Sequence, residues 1–141
     1  MRVVLDTNVL VSGLLAPFGP PGAIIRMVVS GALTLCVDAR VLSEYRDVLR
    51  RPRFEFDGDA VAALIDYIEA TSDTAAAVPL AKRLPDTDDE AFLEVAIACA
   101  AMHLVTGNLE HFPEHLCAGV SVVSPRELVE LYRLTGTQQD A

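Results

Sequence analysis

Four places in the sequence put oxygen-bearing side chains where chemistry can use them. The first is Val3-Val4-Leu5-Asp6-Thr7-Asn8, an apolar run that stops at one acid. The second is Glu44, inside Ser43-Glu44-Tyr45-Arg46-Asp47-Val48-Leu49. The third is Pro85-Asp86-Thr87-Asp88-Asp89-Glu90, which leads into the apolar Phe92-Leu93. The fourth is Asn108, just after His103-Leu104-Val105-Thr106-Gly107. Brought together, Asp6, Glu44 and Asp89 would form an all-oxygen ligand set for a hard divalent cation, Mg²⁺ or Mn²⁺. A cation held that way activates water and polarises a phosphoryl oxygen, so the reaction class is phosphodiester hydrolysis.

Each acid also has a plainer use. Asp6 can cap a turn through the amides of Thr7 and Asn8. Glu44 falls three residues after Val41 and four before Val48, on the edge of an apolar helical arc, where a glutamate commonly pairs with an arginine. Thr87 and Glu90 have the spacing of a capping box, and acids complement a helix N-terminus. Asp89 resists that explanation. It shares a helical face with Phe92, Leu93, Ala96 and Ala100, and an inward-facing carboxylate without a partner is costly.

The elements that would position these groups alternate. Val3–Leu5 is β-branched and too short for a helix, so it reads as a buried strand with Asp6 at its carboxyl end. A loop over Ala16–Gly22 leads to a helix that starts at Pro21, carries Ile24, Ile25, Val28 and Val29, and ends at Gly31. Leu33–Val37 is a second strand. Asp38 caps a helix whose arc is Val41, Leu42, Tyr45, Val48 and Leu49. A third helix spans about Asp59 to Thr71, and Ala75–Leu80 is extended or a peripheral strand because of Pro79. The acidic run opens a helix reaching about Ala101. His103–Thr106 is a strand, Leu109–Phe112 a single helical turn, and Val120–Val123 the last strand. Ser124-Pro125-Arg126-Glu127 is a capping box that starts a terminal helix with Leu128, Leu131 and Tyr132. This alternation predicts an α/β fold around a mostly parallel sheet of four to five strands. Ligands of such sheets lie at the strands' carboxyl ends. Asp6, Asn108 and the start of the Asp89 helix are all expected on that rim, with Glu44 close by.

At 141 residues and 52% hydrophobic content, the chain has the material for one core. We expect a single domain over residues 1–134 and a polar tail that frays over 135–141. The N-terminus lacks the pattern of a signal peptide, and no apolar stretch approaches the length of a bilayer span. Cys36, Cys99 and Cys117 have no metal or disulfide spacing and read as core residues of a protein in a reducing, cytoplasmic setting. A net charge of −9 opposes general nucleic-acid binding. Acids gathered around a metal, and basic patches at Arg46, Arg50, Arg51 and Arg53 and at Lys82 and Arg83, soften that objection. His111 is expected on the surface or in a lid, because no second histidine has zinc spacing.

Four segments carry a family resemblance: VVLDTNVLVSG, SEYRDVL, PDTDDEAFLEVAIACA and LVTGNLEHF. In order and spacing they resemble the PIN-domain ribonucleases, and within them the VapC-like toxin components of bacterial toxin–antitoxin pairs. The resemblance implies a three-layer α/β/α fold and an endonuclease, dependent on Mg²⁺ or Mn²⁺, that cuts RNA through metal-activated water. It also implies 5′-phosphate and 3′-hydroxyl ends, a homodimer and a cognate antitoxin that blocks the site. The family's first three acids correspond to Asp6, Glu44 and Asp89, with Asp86 as the substitute for the third. Its fourth acid corresponds to Asn108. That change keeps an oxygen but drops a charge, which weakens metal affinity unless Glu110 or Asp86 compensates. Thr106 matches a small hydroxyl residue that would orient a phosphate or a water, or is simply a strand threonine.

Two other readings fit the same residues. One keeps the fold and loses the catalysis, leaving an RNA- or protein-binding regulatory module that Asn108 has disarmed. The other is an aspartyl-nucleophile phosphatase, which needs a second acid two residues after Asp6. Asn8 stands there instead.

Overall fold

The computed structural model describes residues 1–140, with side chains as far as Thr135. Five parallel strands make one sheet in the order β3-β2-β1-β4-β5. They are β1 (Arg2–Leu5), β2 (Thr34–Val37), β3 (Asp73–Thr74), β4 (His103–Val105) and β5 (Val122–Val123). Six α-helices accompany them: α1 (Thr7–Leu15), α2 (Pro20–Val29), α3 (Ala39–Leu49), α4 (Gly58–Thr71), α5 (Glu90–Ala98) and α6 (Pro125–Asp140). A parallel sheet is covered on its faces, and that is why its strands read as continuous apolar runs. Val3, Val4, Leu5, Leu104 and Val105 are all fully buried. The expected α/β architecture is the one found.

From β1 the chain winds outward through β2 to β3, then returns to the other side of β1 and winds outward again through β4 to β5. The order reverses between β1 and β4, so their carboxyl ends flank the crevice in which open α/β sheets bind ligands. The ladder there continues one residue past each strand: Asp6 N–H donates to Val105 O at 2.9 Å, and Thr106 N–H to Val123 O at 3.0 Å. Tyr45, fully buried on α3, donates its hydroxyl to Leu5 O at 2.6 Å. This bond ties α3, and with it Glu44, to the end of β1.

Local signals placed several elements well. Asp38 Oδ1 accepts the Val41 N–H at 3.0 Å. Gly31 has φ +84, the left-handed conformation expected after α2. The capping box closes in both directions at 3.1 Å between Ser124 and Glu127. Cys36, Cys99 and Cys117 are free and buried.

Elsewhere the chain departs from expectation. Asp6-Thr7-Asn8 opens helix α1 instead of a turn. Helix α2 starts at Pro20, not Pro21, because Gly19 takes the N-cap. Strand β3 falls at Asp73–Thr74, ahead of the expected segment. Ala75 N–H still bonds Val37 O at 2.8 Å, after which the chain leaves the sheet and Leu80 N–H turns to the Glu94 carboxylate. Helix α5 ends at Ala98, not Ala101. Ala100 takes φ +49, and Ala101 N–H reaches back to Ala96 O at 3.0 Å, the closing bond of a helix stop. The expected tail from Thr135 coincides with the end of α6; side chains beyond Thr135, and Ala141 altogether, lie outside the described residues. Among the described residues no single helix is long and apolar enough to cross a membrane.

Candidate active site

The site is built from the end of β1. Asp6 is only 6% exposed, and as N-cap of α1 its side chain makes no capping hydrogen bond. Its Oδ2 accepts instead from Thr106 Oγ1 at 2.9 Å and from Asn8 Nδ2 at 3.2 Å. Burial pushes its pKa upward, against the pull of those donors and of the nearby Thr7 and Asn8 amides. Asn8 also receives the Gly107 N–H on Oδ1 at 3.2 Å, so one amide side chain braces both strand ends.

Glu44 leans toward this acid and, among the described residues, forms no close ion pair, Arg51 acting on it only at longer range. Its Oε2 accepts the hydroxyl of Thr7. Partial burial raises its pKa first, and the negative charges of Asp6 and Asp88 raise it further. The arginine one turn earlier, Arg40, goes to Asp38 and Glu94 instead.

Asp89 is the third acid near this rim. It is 8% exposed, and its pKa is pushed up to about 6, first by burial and then by the charges of Asp6 and Asp86. Its Oδ2 is buried without a hydrogen bond. His111 Nδ1 stands 3.1 Å from that oxygen, an ion pair when the ring is protonated, and it draws the Asp89 pKa back down. Asp86, Asp89 and His111 each offer one ligand atom within 4.8 Å of the others. His111 therefore belongs to the acidic site and is no detached surface residue.

The acidic run divides its labour differently from the expected capping box. Asp86 Oδ1 caps a short 3-10 turn over Thr87–Asp89 by accepting the Asp88 N–H at 3.0 Å. Glu90 is buried and accepts from Arg83 Nη1 at 2.8 Å and from Leu84 N–H at 3.1 Å. The 3-10 turn rotates Asp89 inward and leaves Asp86 and Asp88 exposed at the mouth.

Thr106 is fully buried, and its hydroxyl is already used on both sides. It donates to Asp6 and accepts the Asn108 N–H at 3.0 Å. Here it orients the Asp6 carboxylate. Asn108 sits on the same rim but is exposed, as is Glu110. Sequence reasoning missed Thr7, Asn8 and His111. Their adjacency in D-T-N and in N-L-E-H was the available signal, because short polar side chains beside a strand-end acid have little else to bond.

These residues fit a cation on two observations. The buried Asp89 Oδ2 has the His111 ring beside it but still titrates high, so the cost of its burial is not fully compensated. Asp6, Glu44 and Asp89 are also each pushed toward protonation by burial, with the charge of Asp6 bearing on the other two, and carboxylate oxygens are the hard donors that divalent ions choose.

A PIN-domain family model matches residues 2–110. No curated protein matches the chain by sequence. Among solved structures, VapBC2 from Rickettsia felis bound to a DNA fragment from its promoter has 13% identity and a TM-score of 0.56, over 88% of this chain and 98% of that one. FitAcB from Neisseria gonorrhoeae has 16% identity and a TM-score of 0.55, over 87% and 97%. FitAB bound to the IR36 DNA fragment gives a TM-score of 0.54 at the same 16% identity. At these identities the likeness is one of fold. With the family model spanning most of the sequence, from β1 through the rim that carries Asn108, the chain belongs to the PIN-domain family.

Proposed function

We propose that the protein is a metal-dependent endoribonuclease and the toxin of a toxin–antitoxin pair. The observation that supports the reading is that the charge of Asp6, at the end of β1, bears on both Glu44 and Asp89, acids from two other, distant parts of the chain. Asp6, Glu44 and Asp89 would hold Mg²⁺ or Mn²⁺, with Asp86 and His111 beside them at the mouth. When bound, the cation lowers the pKa of a water and neutralises charge on the phosphoryl oxygens.

The chain's own contribution is placement. Thr106 and Asn8 hold the rotamer of Asp6, and Thr7 that of Glu44; the two threonine hydroxyls favour the charged carboxylates but do not outweigh burial. His111, at its contact with Asp89, is positioned to carry a proton at the edge of the site. The structural relatives are VapBC2 and FitAcB, which supports an antitoxin as partner, and the family resemblance adds a homodimer as the working form. Buried free thiols suit a reducing, cytoplasmic setting.

Purified protein should cleave single-stranded RNA with Mn²⁺ or Mg²⁺ and stop on chelation. Cleavage at an undiminished rate in excess chelator would remove the reading.

One observation favours a second reading. Asn108, at the family's fourth acidic position, is neutral and exposed. A disarmed binding module would show no heat of Mn²⁺ binding in calorimetry at millimolar metal while still retaining RNA.

A further inference from the structure

Beside Glu44 a cleft of about 490 Å³ opens between α3, the segment before the acidic run, and α5. Two arginines stand on its walls, Arg40 and Arg83. Each is rooted on a buried glutamate of α5. Arg83 Nη1 donates to Glu90 Oε1 at 2.8 Å, and Arg40 Nη1 donates to Glu94 Oε1 at 2.7 Å. The second oxygen of each glutamate is taken by a backbone amide, Leu84 N–H on Glu90 and Leu80 N–H on Glu94, both at 3.1 Å. The carboxylates are thus fully engaged and cannot swing with the arginines.

The guanidinium groups are not fully used. Arg40 spends three of its five donors, on Glu94 and twice on Asp38. Arg83 spends one, and its side chain is 80% exposed. A guanidinium tethered by one bond to a rigid base, with its other donors in solvent, is preorganised to take an anion bidentately. Its neighbours across the cleft include Glu44 and Asp88, so a mobile cation there would be drawn to the acids. Rooted on Glu90, Arg83 is held on the wall of the same cleft that Glu44 lines.

We propose that Arg83 binds a backbone phosphate of the nucleic-acid strand next to the one at the acidic site, with Arg40 forming the opposite wall of the same cleft. This deepens the nuclease reading and rests on it for the position of the strand. A purely structural role, neutralising Glu90, is the competing account. The two differ in salt dependence: one lost phosphate contact on a single strand flattens the slope of log K against log salt by about 0.7.

The test is the binding of a fluorescent single-stranded oligoribonucleotide to the Asp6→Asn protein, with and without Arg83→Gln, across a salt series. The expected result is weaker binding and a slope shallower by about 0.7, with Arg83→Lys restoring the slope because it keeps one cation. In the active protein, Arg83→Gln should raise KM and leave kcat nearly unchanged. An unchanged slope and KM in folded Arg83→Gln would overturn the proposal. If Arg83→Gln does not fold, an unchanged slope and KM in Arg83→Met together with a slope insensitive to Arg40→Gln would overturn it equally. A protein that binds RNA through Arg83 but never cleaves would sink the nuclease reading and leave this one standing.

Discussion

Thr106 Oγ1 donates to Asp6 Oδ2 at 2.9 Å across a sequence separation of 100 residues. The hydroxyl lies at the end of β4, the carboxylate at the end of β1, and the two strands are neighbours at the point where the sheet order reverses. The bond locks the first acid of the site to the far half of the chain. The same oxygen accepts the Asn108 N–H, so it also shapes the loop that carries Asn108 and His111.

Replacing Thr106 by valine keeps the shape and deletes both bonds. Asp6 loses a donor and the Asn108 N–H loses its acceptor, for a cost of about 1–3 kcal/mol. Urea denaturation should show that loss of stability, and Mn²⁺ affinity should fall with it. An unchanged midpoint would mean the bond carries no weight.

Asp6→Asn should separate stability from function. A buried carboxylate flanked by other acids opposes folding of the metal-free protein. The amide removes that opposition, so the metal-free melting temperature should stay level or rise. RNA cleavage should drop by at least about 100-fold, since the site loses a ligand worth several kcal/mol. A marked fall in melting temperature would contradict this account of Asp6.

Asp89 predicts a pH dependence. Its pKa is about 6 in the folded protein against an ordinary value of 3.8. Between those values the folded state holds a proton that the unfolded chain has released, so metal-free stability falls as pH rises through the window. Asp6 and Glu44 are shifted in the same direction. Calorimetry of the metal-free protein from pH 4 to 7.5 should show a decline that is smaller in Asp89→Asn. Equal declines in the two proteins would rule out Asp89 as a source.

Tyr45 tests the support for the site. Its hydroxyl is buried on Leu5 O, immediately before Asp6. Tyr45→Phe leaves that carbonyl without its side-chain donor and should cost about 1 kcal/mol. Because α3 is then less firmly docked to β1, metal affinity should weaken as well. Stability and affinity both matching the parent would show that Glu44 is placed by other contacts.

Much of this arrangement was legible in the residues. An apolar run ending in Asp6 and a second ending in Thr106 marked two strand ends, and alternation with helices put both on one rim. Asp89 was legible because its helical face is apolar, and the structure buries it. What could not be read was set by tertiary context. Glu90 has the spacing of a capping box, but a 3-10 turn ahead of α5 shifts the frame and sends Glu90 to Arg83 and the Leu84 amide. Strand β3 was misplaced because two residues that pair with Cys36 and Val37 carry no pattern of their own. His111 has no metal spacing in sequence, and only the fold brings it to Asp89.

The central claim is that Asp6, Glu44 and Asp89 share one divalent cation. The most direct test is an anomalous-scattering map from crystals grown in Mn²⁺. One strong peak is expected at the β1/β4 crevice, with carboxylate oxygens of all three residues about 2.0–2.3 Å from it. A map with no peak there, or with an ion on Asp86 and His111 that leaves Asp6 and Glu44 unligated, would contradict that claim.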